Sequence, residues 1–160
     1  MISRILRGLV TALAVAGVVV SGLALRVHNM DPGLAPPCAV SENWDCGAVN
    51  HSRYAVFPPK SFDEDPTSRN IHIPVSTIGI VGYSLIAMFA LFGRWWIVLQ
   101  LAEIGFFSAA LLSYLEAFVL QKWCIYCVWS QVIVTVLLLT TIVALVLRSR
   151  ANRARLSYGN

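Results

Sequence analysis

Four apolar runs set the limits on what this chain can become. They cover about residues 8–25, 75–92, 97–119 and 125–147, each near the ~20 residues a helix needs to cross a bilayer. Hydrocarbon offers no water to satisfy backbone N–H and C=O groups, so a spanning segment must be a helix or part of a closed barrel. The runs are continuous rather than alternating, which excludes the barrel. Composition agrees: 58% of the 160 residues are hydrophobic and 12% charged, against roughly 45–50% and about 25% in soluble domains. The expectation is an all-α integral membrane protein. A single four-transmembrane-helix bundle takes up residues 1–160, with no room for a second soluble domain.

Only Gly93-Arg94 and the Trp95-Trp96 pair separate the second run from the third, a tight turn with interfacial aromatics. Little more than Gln121-Lys122-Trp123 separates the third from the fourth. The long connection, residues 26–74, joins the first run to the second. Arg4, Arg7, Arg94, Arg148, Arg150, Arg153 and Arg155 flank the runs without any Asp or Glu. The long loop instead mixes Asp31, Glu42, Asp45, Asp63, Glu64 and Asp65 with Arg26, Arg53, Lys60 and Arg69. By the positive-inside rule both termini are cytoplasmic and the long loop lies outside. In a bacterial inner membrane that is the periplasmic face, where disulfides form and persist. The net charge of +4 follows the membrane and is not a nucleic-acid signal. The first run exceeds the apolar core of a signal peptide, about 7–15 residues, and no small-x-small cleavage site follows it, so it reads as a retained span. Gly79 and Gly82, one turn apart in the second run, suit close helix packing.

The chemistry lies in four cysteines, all expected on the outer face. Cys124 and Cys127 form a Cys-x-x-Cys at the start of the fourth run; Cys38 and Cys46 lie in the long loop. Thiols so spaced at a helix start can close a small, reducible disulfide. The helix N-terminus favours thiolate, and Lys122 adds a nearby cation. The plain reading is two structural staples. A Cys-x-x-Cys loop is too short to restrict the unfolded chain much, so exchange chemistry explains it better. Four thiolates can hold zinc, but an oxidising compartment and the wide spacing of Cys38 and Cys46 argue against it, and no metal is expected. His28, His51 and His72 lack metal-ligand spacing; solvated or capping roles suffice, and His51, beside Ser52, is the one worth testing. Pro36-Pro37 stiffens the approach to Cys38, and Ser41 is placed to cap a helical turn running to Asp45. Tyr54-Ala-Val-Phe57 is apolar enough to anchor the loop in the outer leaflet. Glu103 lies towards the cytoplasmic side of the third run, where snorkelling or a hydrogen bond to a neighbouring helix accounts for it. Glu116, about two turns before Cys124, is a candidate for relaying a proton to an acceptor. The basic tail from Arg148 anchors the last helix at anionic lipid headgroups.

Cys38-x7-Cys46 after the first span, with Cys124-Ile-Tyr-Cys127 at the outer start of the fourth, resembles the vitamin K epoxide reductase family. The likeness is closer to the bacterial homologues that reoxidise a disulfide-forming partner. It covers roughly residues 8–147, and the run from Ser113 to Phe118 also looks like the bacterial branch. The resemblance implies a four-helix bundle around a quinone pocket capped by the loop. A thioredoxin-like periplasmic protein would give two electrons to Cys38/Cys46. These would pass to Cys124/Cys127, and that pair would reduce a quinone, ubiquinone or menaquinone, in support of disulfide bond formation. Accessible loop cysteines suit a protein donor, and a dithiol at the membrane boundary suits a lipid-soluble acceptor. Ser52 falls where the family carries a Ser or Thr near the quinone. Val75 and Gln131 stand where the animal enzymes carry an Asn and a Tyr at the quinone oxygens, a departure that favours quinone reduction over epoxide reduction. Some bacterial members carry a fused thioredoxin-like domain; here the chain ends soon after the fourth span, so a separate partner is expected. Cys127, about one turn deeper than Cys124, is expected to face the quinone, with Gln131 one turn beyond. Cys46 and Cys124, the latter nearer the surface, are expected to form the mixed disulfide between the pairs.

Four other readings compete. The chain could be a vitamin K or quinone epoxide reductase, or a non-enzymatic membrane scaffold with structural disulfides. A transporter would need paired ionisable residues and broken helices, which the spans lack. The unrelated four-helix quinone-linked oxidase of bacterial disulfide formation carries its Cys-x-x-Cys before the spread pair, the reverse of the order here.

Overall fold

A computed structural model describes residues 2–33, 38–61 and 71–158. Pro36-Pro37, the acidic run Asp63, Glu64 and Asp65, and Arg69 lie outside the described residues, as does the side chain of Arg155. In chain order the elements are α1 (Ile2–His28), the short α2 (Cys46–Asn50), a two-residue hairpin of β1 (Val56–Phe57) and β2 (Ile73–Pro74), α3 (Val75–Leu91), α4 (Trp95–Leu115) and α5 (Ile125–Tyr158). A 3-10 turn, Arg53–Ala55, precedes β1, and a π-helical segment, Glu116–Leu120, extends α4.

Local chemistry explains the breaks. Pro74 lacks an N–H to donate and stands just ahead of α3, where helices tolerate it. After α3 the chain reverses through Gly93, at φ +70°, with Gly93 N donating to Ala90 O and Arg94 N to Phe89 O, both 3.0 Å. The π-helical end of α4 stops at Gln121, which is left-handed at φ 52°.

Arg4–His28, Trp95–Leu120 and Ile125–Ala154 are each long and apolar enough to cross a membrane. α3 has 17 residues, about 26 Å of helix, near the short end of spanning length. The molecule is therefore a helical bundle with three to four candidate membrane spans, multi-pass by length and composition. α1 packs on α3 and α5, and α4 on α5 and α3. The core is apolar, with Val10, Ala14, Tyr83, Ile86, Val98, Val134 and Leu137 buried together. The outside is apolar too: Phe107 is 70% exposed and Leu139 58%, as a lipid-facing surface requires.

Several expectations change in detail. Gly79 does serve close packing, since a Cβ there would fall 2.8 Å from Ser21 Oγ on α1; at Gly82 it would meet nothing within 4 Å. Trp95 is buried and only Trp96 is exposed, because the pair straddles the first turn of α4 and only one ring can face outward. Glu103 is exposed on the outside of α4 and, among the described residues, makes no hydrogen bond to a neighbouring helix, which leaves snorkelling as its account. Ser41 caps no helix; its Oγ accepts from Trp44 N at 3.3 Å in a bend. The short helix starts later, and Asp45 caps it by accepting from Ala48 N at 3.0 Å.

The loop closes one end of the bundle. Asn43 O accepts from Trp123 N at 2.8 Å, and Asp45 N donates to Trp123 O at 3.0 Å, so residues 43–45 lie against the α4–α5 connection. His28 Nδ1 donates to Asn50 O at 2.6 Å. His51 sits between Gly47 O and Met30 O, 2.9 and 3.1 Å from its two ring nitrogens. These two histidines stack and tie α2 to the end of α1, while His72 Nδ1 donates to Pro58 O at 2.8 Å. At the opposite end, Arg148 Nη1 donates to Gly93 O at 3.3 Å.

Candidate active site

All four cysteines gather beneath the loop. Cys38, Cys46 and Cys124 are buried in one cluster with Val27 and Val49, and Leu120, Tyr126 and Cys127 pack against it. Cys38 and Cys46 form a disulfide, whereas Cys124 and Cys127 are free thiols. Cys124 sits immediately ahead of α5, where its carbonyl accepts the first helical bond, from Val128 N at 3.0 Å. Asn50, four residues after Cys46 and 6% exposed, joins the two pairs. Its Nδ2 donates to Cys46 O at 2.8 Å and lies 3.5 Å from Cys124 Sγ.

Hydrogen bonding with the Cys127 thiol holds Cys124 below the ordinary thiol range, against the opposing effects of burial and of Glu116. Lys122 is not the cation that assists it. The Lys122 ammonium donates to Glu42 O in the loop, so it fastens the loop rather than a thiol. Cys124 is also not the more accessible thiol. It is 0% exposed because α2 and the loop disulfide cover it, while Cys127 is part-exposed.

Cys127 opens onto a cavity of about 380 Å³ whose wall is overwhelmingly apolar. Ser52 and Val75 line it, as do Asn50, Tyr54, Glu116 and Ser130. Ser52 Oγ and Glu116 Oε1 are buried and, among the described residues, have no hydrogen-bond partner. Ile78, Val81 and Ile104 also line it and are 43–65% exposed on the outside of the bundle. The cavity thus reaches the lipid-facing surface between α3 and α4. Tyr54 also faces this cavity and Val56 is buried, so of the Tyr54–Phe57 run it is Phe57, at 62% exposure, that is presented outward.

Gln131 does not belong to this wall. Its Nε2 donates to Thr135 Oγ1 at 3.4 Å. At about 100° per residue, Tyr126, Cys127, Ser130 and Val134 form one stripe of α5 along the cavity, and position 131 falls to the side of it. The polar pair that does face the cavity was not singled out from sequence: Tyr83 and Ser130, whose hydroxyls lie 2.9 Å apart. Asn50 was missed as well. Its signal was its place four residues after Cys46, meaningful only once residues 46–50 are known to be helical.

A family profile described as Vitamin K epoxide reductase family matches residues 9–142. The chain belongs to that family. Its members are oxidoreductases that generally use quinones, and a buried disulfide beside a free dithiol in an apolar bundle fits a vitamin K epoxide reductase family membrane redox enzyme. A search of curated proteins found no match. Among the described residues no cluster of three or more His, Cys, Asp or Glu side chains is arranged to hold a metal.

Proposed function

We propose that this chain is a quinone-dependent thiol–disulfide oxidoreductase of a bacterial inner membrane, with both termini cytoplasmic. In this reading it reoxidises a separate thioredoxin-like periplasmic protein and supports disulfide bond formation. The observation that carries the reading is the placement of Cys127, one thiol of a reactive pair, on the wall of an apolar cavity open to lipid. The site fits a quinone: an apolar wall suits the ring and tail, and the unpartnered Ser52 Oγ and Glu116 Oε1 suit ring oxygens. A quinone bound there accepts two electrons and two protons.

The chain's own residues supply the rest. A thiolate of the reduced partner attacks the Cys38–Cys46 bond, and resolution of that mixed disulfide leaves both loop cysteines reduced. Cys46 then attacks an oxidised Cys124–Cys127 bond at Cys124, expelling Cys127 towards the cavity. A second displacement, by Cys38 on Cys46, restores the loop disulfide and leaves the helix pair as a dithiol. Asn50 holds α2 over Cys124 during the exchange. Val75 is apolar on the wall and Gln131 lies off it, so neither of the two positions that carry an Asn and a Tyr in the animal enzymes offers a polar grip on an epoxide-bearing ring, which supports plain quinone reduction.

The test mixes purified protein, reduced thioredoxin-like protein and ubiquinone or menaquinone, and follows quinone absorbance. Quinone should be consumed at a rate that depends on all four cysteines. Partner oxidation that proceeds equally without quinone would overturn the proposal and favour a scaffold with structural disulfides.

A further inference from the structure

Glu116 is the acid of this bundle that membrane burial leaves hardest to explain. It is 2% exposed, at the first residue of the π-helical segment Glu116–Leu120, a conformation frequently found at functional sites. The carboxyl is held at one oxygen only. Oε2 accepts from Cys124 N at 3.1 Å, while Oε1 is buried without a hydrogen-bond partner. The residue lines the cavity, and the Cys127 thiol lies beside its carboxyl. A buried polar atom left unpaired costs about 1–3 kcal/mol, so a structural acid would be expected to satisfy both oxygens. Here one oxygen is fixed to the backbone of Cys124, and the other is left without a hydrogen-bond partner among the described residues, on a side chain that meets both the Cys127 thiol and the cavity.

We propose that Glu116 carries a proton between the Cys124–Cys127 pair and the acceptor held in the cavity. Oε1 receives the Cys127 thiol proton and passes it to an oxygen of a bound quinone. The inference rests on the quinone reading above. The step balances as follows. Cys124 enters as thiolate, its proton already released to water on the loop side. The Cys127 S–H bond breaks, the Cys124–Cys127 S–S bond forms, and the pair loses two electrons to the quinone. The quinone gains those electrons, one proton through Glu116 and one from the aqueous face. The groups facing the carboxyl are few. Cys124 and Cys127 approach from α5; Tyr54, Tyr83 and Tyr126 are the other titratable side chains on the cavity wall, with Asn50 and Ser52 uncharged beside them. Tyr83 is engaged with Ser130, and the Lys122 ammonium with Glu42 O.

The experiment compares wild type, Glu116→Gln and Glu116→Asp in full-length protein, with a small dithiol as donor and ubiquinone as acceptor. Glu116→Gln should lower kcat by about 100-fold, the usual worth of a positioned proton-transfer group, with KM for quinone changed less than about twofold. Glu116→Asp should recover part of the loss. The rate in Glu116→Gln should fall as pH rises, because bulk water must then supply the proton, while wild type stays flat over the same range. A second readout needs no quinone. The oxidised-minus-reduced infrared spectrum of the cysteine pair should contain a carboxyl band that is absent in Glu116→Gln. Wild-type turnover with an unchanged kcat and a flat pH profile in Glu116→Gln would overturn the proposal. So would an infrared difference spectrum without that band. If wild type itself fails to reduce quinone, the functional reading fails first, and the infrared result still decides whether Glu116 answers to the cysteines.

Discussion

The Asn50 amide donates to the Cys46 carbonyl and lies 3.5 Å from Cys124 Sγ, and that bridge makes it the residue on which exchange between the two pairs most depends. Asn50→Leu keeps the volume and removes the donor. It should slow transfer from the loop pair to the helix pair roughly fivefold, the kinetic equivalent of one hydrogen bond of about 1 kcal/mol. Quinone reduction by a small dithiol acting directly on Cys124 and Cys127 should be unaffected; stopped-flow measurement with both donors separates the two, and equal slowing would contradict the role. A second consequence concerns pH. The Cys127 thiol holds Cys124 below its ordinary value, so Cys124 keeps its thiolate, and its reactivity, to lower pH than a free cysteine. In Cys127→Ala that bond is gone, and alkylation of Cys124 should shift to higher pH. Mass spectrometry on protein with the loop disulfide reduced would read the shift; an unchanged profile would remove Cys127 as the cause. The cysteines themselves were legible because their chemistry is written in their identity and spacing. Asn50 was not, since its contact with Cys124 joins residues 74 apart in sequence.

At the scale of elements, helix existence follows from the length of apolar runs, a local property. The expected runs at 75–92 and 125–147 begin where Val75–Leu91 and Ile125–Tyr158 begin. The phase of a helix about its axis is not local. It is set by what packs against it, and this is why Gln131 was expected in the cavity and lies beside it. Packing also separates glycines that look alike in sequence. A Cβ at Gly17 on α1 would fall 2.5 Å from the ring carbons of Tyr83, whereas at Gly82 it would meet nothing within 4 Å. Tyr83 is buried and bonded to Ser130, so the ring has little freedom to yield. Gly17→Ala should cost about 1–3 kcal/mol, as overpacking does, visible as a lower unfolding midpoint in detergent. Gly82→Ala should be neutral or stabilising by up to about 1 kcal/mol, from helix propensity, while its methyl narrows the cavity and raises KM for quinone. Equal midpoints for the two variants would mean that α1 and α3 do not pack as described.

At the scale of the whole molecule, two local features meet that sequence order keeps apart. The loop between α1 and α3 bonds across residues 43–45 to Trp123, which lays the Cys38–Cys46 disulfide against Cys124 in one buried cluster. Sequence reading supplied the parts, namely a loop that must reach a helix end. The reach itself depends on main-chain pairing between distant segments, which no local pattern announces. In the proposed mechanism electrons cross between the pairs through a Cys46–Cys124 bond. Exchange proceeds one sulfur at a time, so removing both resolving thiols should arrest it there. The measurement is non-reducing mass spectrometry of proteolysed Cys38→Ala/Cys127→Ala protein, run beside Cys46→Ala/Cys127→Ala. A peptide linked through Cys46 and Cys124 should form in high yield in the first variant, with little linkage in the second. Linkage through Cys38 and Cys124 in the second variant, with none in the first, would contradict it.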